Sequence, residues 1–113
     1  MYNRRAADAL WLELRDALLA GARARIGVGH RMLIDDARPF ALRLQHDQRS
    51  LDVRAAREVI TFTISIGSDP DASTEVPVGL HPGRVPPFRL NGQSQSAETI
   101  ARDLLNALLQ LET

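Results

Sequence analysis

The stretch Phe40–Ala55, FALRLQHDQRSLDVRA, decides the fold, because two runs of alternating apolar and polar residues flank a polar turn. Alternation with a period of two is typical of β-strands. A turn over Asp47–Ser50 makes the two runs a hairpin, in which we expect Leu44 to pair with Val53. Both apolar sets then lie on one face of an antiparallel sheet, and other elements must cover that face.

The two ends of the chain have the periodicity of helices. From Arg4 to about Ile26, apolar residues recur at steps of three and four, which is the spacing of one helix face. Ser96 predicts the N-cap of a second amphipathic helix that runs almost to Thr113. Between these helices, the strongest further strand is predicted at Val59–Ile66, and candidates for short strands are Met32–Ile34, Val76–Leu80 and Phe88–Leu90.

This order of elements predicts an α+β fold. We expect one domain over residues 1–113, with an N-terminal helix, an antiparallel meander of three to five strands and a C-terminal helix, packed as a two-layer sandwich. The segment Gly67–Pro87 holds five of the six prolines. A connection of this length in a compact domain is often functional or mobile.

The composition excludes several kinds of chemistry. All 14 basic residues are arginine, as a GC-rich coding sequence would give, and they balance 14 acidic residues. Without lysine there is no Schiff-base amine and no phosphate-loop lysine. Without cysteine there is no disulfide, thiolate nucleophile or zinc ribbon. Since the net charge is zero and aromatic side chains are few, we do not expect nucleic acid as a partner.

The charge distribution predicts the compartment. Arg4 and Arg5 could begin an export signal, but four charged residues follow within residues 8–16, so no apolar signal core forms. The longest uncharged run lies between Glu58 and Asp69, which is too short to cross a bilayer. We therefore expect a cytoplasmic protein of bacterial type, with no membrane contact.

Arginines on the polar side of the hairpin predict an anion site. In the expected register Arg43 lies opposite Arg54, and like charges across a strand pair are unfavourable. A neighbouring acid or water could compensate, or two guanidinium groups could hold a phosphate or carboxylate. Thr61 would lie beside them. His81 and Arg84, in the proline-rich loop, are further candidate binding residues, with a solvent-exposed connection as the alternative.

The histidines are the remaining candidates for metal chemistry. A facial triad of metal ligands could consist of His30, His46 and either Asp35 or Asp36. The spacing of these residues matches no metal motif. The simpler interpretation makes His46 a hydrogen-bonded residue at the sheet rim and the aspartates a turn or a helix cap. We expect no metal, no cofactor and no catalytic residue set.

Two segments resemble a known family. Ala7–Leu12, ADALWL, resembles the first helix of bacterial frataxin-type proteins, and Ser96–Thr99 with the leucines that follow resembles their last helix. The resemblance implies iron binding by acidic residues near the first helix, where Asp8, Glu13 and Asp16 stand. The chain departs from the family in its neutral charge and in lacking a Gly-Gly-x-His-Phe segment.

The function that we predict from the residues is interaction or assembly rather than catalysis. A small domain with a leucine-rich C-terminal helix often completes its core with a second copy, and two-fold dimers are the commonest assembly. Leu105 and Leu109, off the main apolar stripe of that helix, are the candidate contacts, and a different protein partner is also open. The alternatives are a ligand-binding module or enzyme that uses Arg43, Arg54 and the His81–Arg84 loop, and a frataxin-like metal-binding protein.

Overall fold

The α+β architecture is confirmed by a computed structural model, which describes residues 4–56, 59–66, 73–81 and 83–109. An N-terminal helix is followed by a meander of strands and a second helix. In chain order the elements are α1 Arg4–Gly27, β1 Leu33–Asp35, β2 Ala41–His46, β3 Arg49–Ala56, β4 Val59–Ile66, β5 Thr74–Leu80, β6 Phe88–Leu90, β7 Gln93–Gln95 and α2 Ala97–Leu109.

The sheet contains more strands than the three to five predicted. In the described part of the chain, seven strands lie in chain order in one sheet, and each is antiparallel to its neighbour. The strand that sequence reasoning missed, β7, has three polar residues and so no apolar alternation. The turn before it explains its pairing with β6, because Asn91 and Gly92 both have positive φ, 52° and 80°. Such backbone suits a two-residue hairpin turn.

The register of the β2–β3 hairpin differs from the prediction by two residues. Leu42 pairs with Val53 and Leu44 with Leu51, so the predicted pair of Leu44 and Val53 is wrong. The turn is shorter than predicted because Asp47 adopts a φ of 54°, a conformation that aspartate tolerates better than most residues. A shift of two leaves the apolar residues on the same face, as predicted.

Both helices cover that apolar face, and the core lies between the two layers. Trp11, Leu14 and Leu18 of α1 are buried there. Among the described residues, the strands contribute nine buried side chains to this core and α2 contributes five more. They are Leu42, Leu44, Leu51, Val53, Ile60, Phe62, Val78, Leu80 and Phe88 from the sheet, and Ala97, Ile100, Ala101, Leu105 and Leu108 from α2.

The C-terminal helix is buried more widely than its sequence suggests. Leu105 is fully buried and Leu109 nearly so, which places both in the protein's own interior rather than on a free surface. The reason is that α2 packs on the sheet and on α1 at once. A methyl group at Gly21 of α1 would come within 2.6 Å of Leu105 Cδ1. These leucines are therefore not available to a second copy in this fold.

Directional contacts fix the helices to the sheet and its loops. Trp11 Nε1 donates a hydrogen bond of 2.8 Å to the carbonyl of Pro39, in the loop between β1 and β2. Ser96 caps α2 as predicted, because its Oγ accepts from the backbone N–H of Thr99 at 3.2 Å. Arg49 of β3 donates to the carbonyl of Ala107 at 2.9 Å. Within the ranges given above, neither helix has the length and apolar character needed to cross a membrane.

Candidate functional sites

The face of the sheet opposite the helices, which we call the open face, is polar along its centre. It consists of the alternate strand residues that do not enter the core. The register sets them in rows across the sheet. One row runs Asp35, Arg43, Asp52, Thr63, Glu75, and its neighbour runs Ala41, Arg54, Thr61, Pro77.

The true register changes the charge pairs on the open face. Arg43 lies opposite Asp52, and its Nε is 3.7 Å from Asp52 Oδ1. The predicted like-charge pair of Arg43 and Arg54 is therefore wrong. Arg54 instead lies between Ala41 and Thr61, so no carboxylate stands directly across from it on either side. Of the two arginines in the predicted pair, only Arg54 therefore has no opposite charge directly across from it.

A shallow cavity of about 230 Å³ lies around these arginines. We call it the arginine pocket. Arg43 and Arg54 both line it, together with Arg38 from the loop between β1 and β2. Its lining is Asp35, Arg38, Ala41, Leu42, Arg43, Asp52, Val53 and Arg54. Arg38 was not predicted from the sequence because it lies outside the alternating pattern of the strands. Its position just before Pro39, in the loop that leads into β2, was the signal that could have indicated it.

The other predicted ligand residues lie outside the arginine pocket. Thr61 is the cross-strand neighbour of Arg54 but does not line the cavity. His81 Nε2 lies over Gly79 of β5, within 3.4 Å of where a side chain there would begin. Since β3 and β5 are two strands apart, about 10 Å separates Arg54 from that strand. The structure thus does not join His81 to the arginines.

The loop that carries His81 and Arg84 is closed at its base. The N–H of His81 donates to the carbonyl of Pro87 at 2.8 Å, and the N–H of Arg84 donates to the carbonyl of His81 at 3.2 Å. The first of these bonds continues the β5–β6 hairpin into the loop. Val85 at its tip is 97% exposed.

A second candidate surface lies where α1 ends and β1 begins. Three large apolar side chains are exposed there: Ile26 by 40%, Val28 by 77% and Leu33 by 70%. We call them the apolar patch. Ile26 and Leu33 line a broad depression of about 600 Å³ together with His30, Arg31, Met32, Gln45 and Asp47. Sequence reasoning passed over this surface because each residue also fits the end of a helix or strand.

The histidines next to the apolar patch are close to each other but not to the predicted aspartates. The rings of His30 and His46 are edge-to-face with centroids 6.4 Å apart, and His46 Nε2 is 3.5 Å from Asp47 Oδ2. Asp36 is instead paired with Arg15 at 3.5 Å. In the described part of the chain, no three His, Asp or Glu residues are placed to hold a metal ion.

The acidic residues implied by the frataxin resemblance lie on α1, and two of them border the groove between the helices. Glu13 and Asp16 line this groove of about 440 Å³, together with small residues of both helices. Comparison of the chain with protein-family models, with curated proteins and with solved structures gives no match. The resemblance therefore rests on the quoted residues alone.

Proposed function

We propose that this chain is an interaction protein that works as a homodimer, and that the apolar patch is the contact between the two copies. The observation that carries the proposal is the exposure of Ile26 and Leu33 on one depression, with exposed Val28 two residues after Ile26 in the chain. Soluble monomers rarely leave a large contiguous apolar surface in water, and such a surface usually marks an interface.

The surroundings of the apolar patch suit a second copy. In a two-fold interface each surface meets itself, so a residue on one side contacts a different residue on the other. Arg31 and Asp47 both border the depression and carry opposite charges. Two-fold symmetry can therefore set the cation of each copy beside the anion of the other. The net charge of zero adds no long-range repulsion between copies.

Sedimentation velocity over a range of protein concentrations tests the homodimer. We expect the wild-type chain to shift from monomer to dimer as its concentration rises. Leu33→Arg should keep the chain monomeric, since it places a charge among the exposed apolar side chains of the contact. Val28→Ser should weaken the dimer by removing exposed apolar area, which contributes roughly 25 cal/mol per Å² buried.

Val85→Ser is the matched control, because Val85 is another exposed valine in a loop, far along the sheet from the apolar patch. It should leave the dimer unchanged. A wild-type chain that stays monomeric at all concentrations contradicts the homodimer. A dimer that survives Leu33→Arg contradicts the apolar patch as its contact. The cytoplasmic location predicted from the composition belongs to the same proposal, and cell fractionation tests it.

A second candidate function is small-anion binding, which the arginine pocket favours. It uses a different part of the molecule and does not require the dimer. The predicted ligand residues Arg43 and Arg54 carry it, while Thr61, His81 and Arg84 lie outside the pocket.

A further inference from the structure

We propose that the arginine pocket binds the carboxylate of a small, singly charged organic acid, held between the guanidinium groups of Arg38 and Arg54. The inference goes beyond the homodimer, because none of the pocket residues belongs to the apolar patch.

The first argument is that Asp35, Asp36 and Asp52, the acids that the described part of the chain places at or next to the pocket, each have another partner. Asp52 pairs with Arg43. Asp35 Oδ1 accepts a hydrogen bond of 3.2 Å from the N–H of Ala37, and Asp36 pairs with Arg15 of α1. None of these three contacts reaches Arg38 or Arg54.

The second argument is that Arg38 and Arg54 are left without an acceptor. Among the residues that the structure describes, neither has a hydrogen-bond or ion-pair partner, yet both line one cavity. Lone exposed arginines are ordinarily satisfied by water. Two arginines in one concave site can bind both oxygens of a carboxylate, because each planar guanidinium group presents several N–H donors in a fixed arrangement.

Arg43 completes the positive side of the pocket. Its contact with Asp52 uses Nε. The terminal nitrogens of Arg43 therefore remain available to a bound anion.

Charge and size favour a carboxylate over a phosphate. Three arginines and two aspartates line the pocket, which leaves one formal positive charge. One positive charge neutralises a singly charged carboxylate. A phosphate dianion would keep one negative charge that the pocket does not neutralise. The cavity of about 230 Å³ is smaller than the pockets of about 300–1,000 Å³ that hold drug-sized ligands. Ala41 offers apolar contact for a short carbon chain on the open face, since the side chains of Leu42 and Val53 are buried on the covered face.

Titration with sodium propionate, followed by NMR of the ¹⁵N-labelled arginine Nε–H groups, tests the proposal. We expect saturable shifts confined to the signals of Arg38, Arg43 and Arg54, which single substitutions assign. Arg54→Gln and Arg38→Gln should each weaken propionate binding about tenfold or more, the range for losing a charged hydrogen-bond partner. Neither side chain has a partner among the described residues, so both variants should keep the wild-type melting temperature.

Arg89→Gln is the matched control. Arg89 is another exposed arginine on the open face, opposite Gly79 and Ser94, but it lies outside the cavity. Its substitution should leave propionate binding unchanged. Shifts that spread over all arginines, or an equal loss with Arg89→Gln, would mean general attraction of anions and overturn the pocket. Tighter binding of inorganic phosphate than of propionate would overturn the carboxylate. Leu33→Arg should bind propionate normally, which separates this test from that of the homodimer.

Discussion

The covered face and the open face of the sheet are built from alternate residues of the same strands, yet they depend on register differently. On the covered face, Leu42 meets Val53 in an apolar layer, where any apolar neighbour of similar volume would serve. On the open face, Arg43 meets Asp52, and a different neighbour would change the sign of the interaction. An error of two residues in register therefore leaves the first face intact and changes every pair on the second.

Substitutions at adjacent positions of β4 should show the largest contrast between the faces. Phe62 is almost fully buried on the covered face, whereas Thr63 is half-buried on the open face. Phe62→Ala should lower the free energy of unfolding by about 3–5 kcal/mol, because it removes apolar contacts and leaves a cavity. Thr63→Ala should lower it by less than about 1 kcal/mol.

Urea denaturation followed by the fluorescence of Trp11, the single tryptophan, measures both variants. The denaturant slope should be the same for both variants and the wild type, so that the midpoints report stability alone. Equal losses for the two variants would mean that the open face is covered in solution. That result would contradict the division into two faces.

The covered face could be predicted from the sequence because the apolar residues buried on one side of a strand or helix recur at regular intervals along the chain. Steps of two along Phe40–Ala55 and steps of three and four along α1 gave the elements and the side on which each is apolar. The same rule failed for α2, because this helix packs against two elements and buries a stripe wide enough to include Leu105 and Leu109. A single amphipathic stripe was too narrow a template for it.

The site was only partly predictable, for a different reason. Arg43 and Arg54 are visible as polar members of an alternating pattern. Their neighbours depend on the turn at Asp47, whose positive φ shortens the loop and sets the register. Arg38 belongs to no alternating or helical pattern, since it lies in a loop that brings it to the pocket. Contacts that depend on the path of a loop cannot be predicted from such patterns and are identified only from the structure.

A smaller effect is expected where the helix layer meets the loop beside the arginine pocket. Trp11 is buried, and its indole N–H donates to the carbonyl of Pro39. Trp11→Phe keeps an aromatic ring but leaves that carbonyl without its donor. The free energy of unfolding should fall by about 1–2 kcal/mol, the range for a lost hydrogen bond at a partly buried group. Urea denaturation followed by circular dichroism measures it, since the variant has no tryptophan.

Leu12→Ala is the control for Trp11→Phe, because Leu12 is the next residue of α1 and is half exposed. It should change the free energy of unfolding by about 0.5 kcal/mol or less, as surface substitutions usually do. If Leu12→Ala costs as much as Trp11→Phe, then α1 is stabilised by general helix burial, and the bond to Pro39 has no separate role.

The smallest effect should come from the open face itself. A double-mutant cycle with Arg43→Gln and Asp52→Asn should give a coupling of about 0.2–1 kcal/mol, as exposed ion pairs do. The coupling should fall in 1 M NaCl, where the screening length is about 3 Å.

The same cycle with Arg54→Gln in place of Arg43→Gln is the control, because Asp52 lies opposite Arg43 and Arg54 lies opposite Ala41. A larger coupling for Arg54 than for Arg43 would mean that Asp52 already neutralises Arg54. In that case the arginine pocket would lose the unpartnered charge on which carboxylate binding depends.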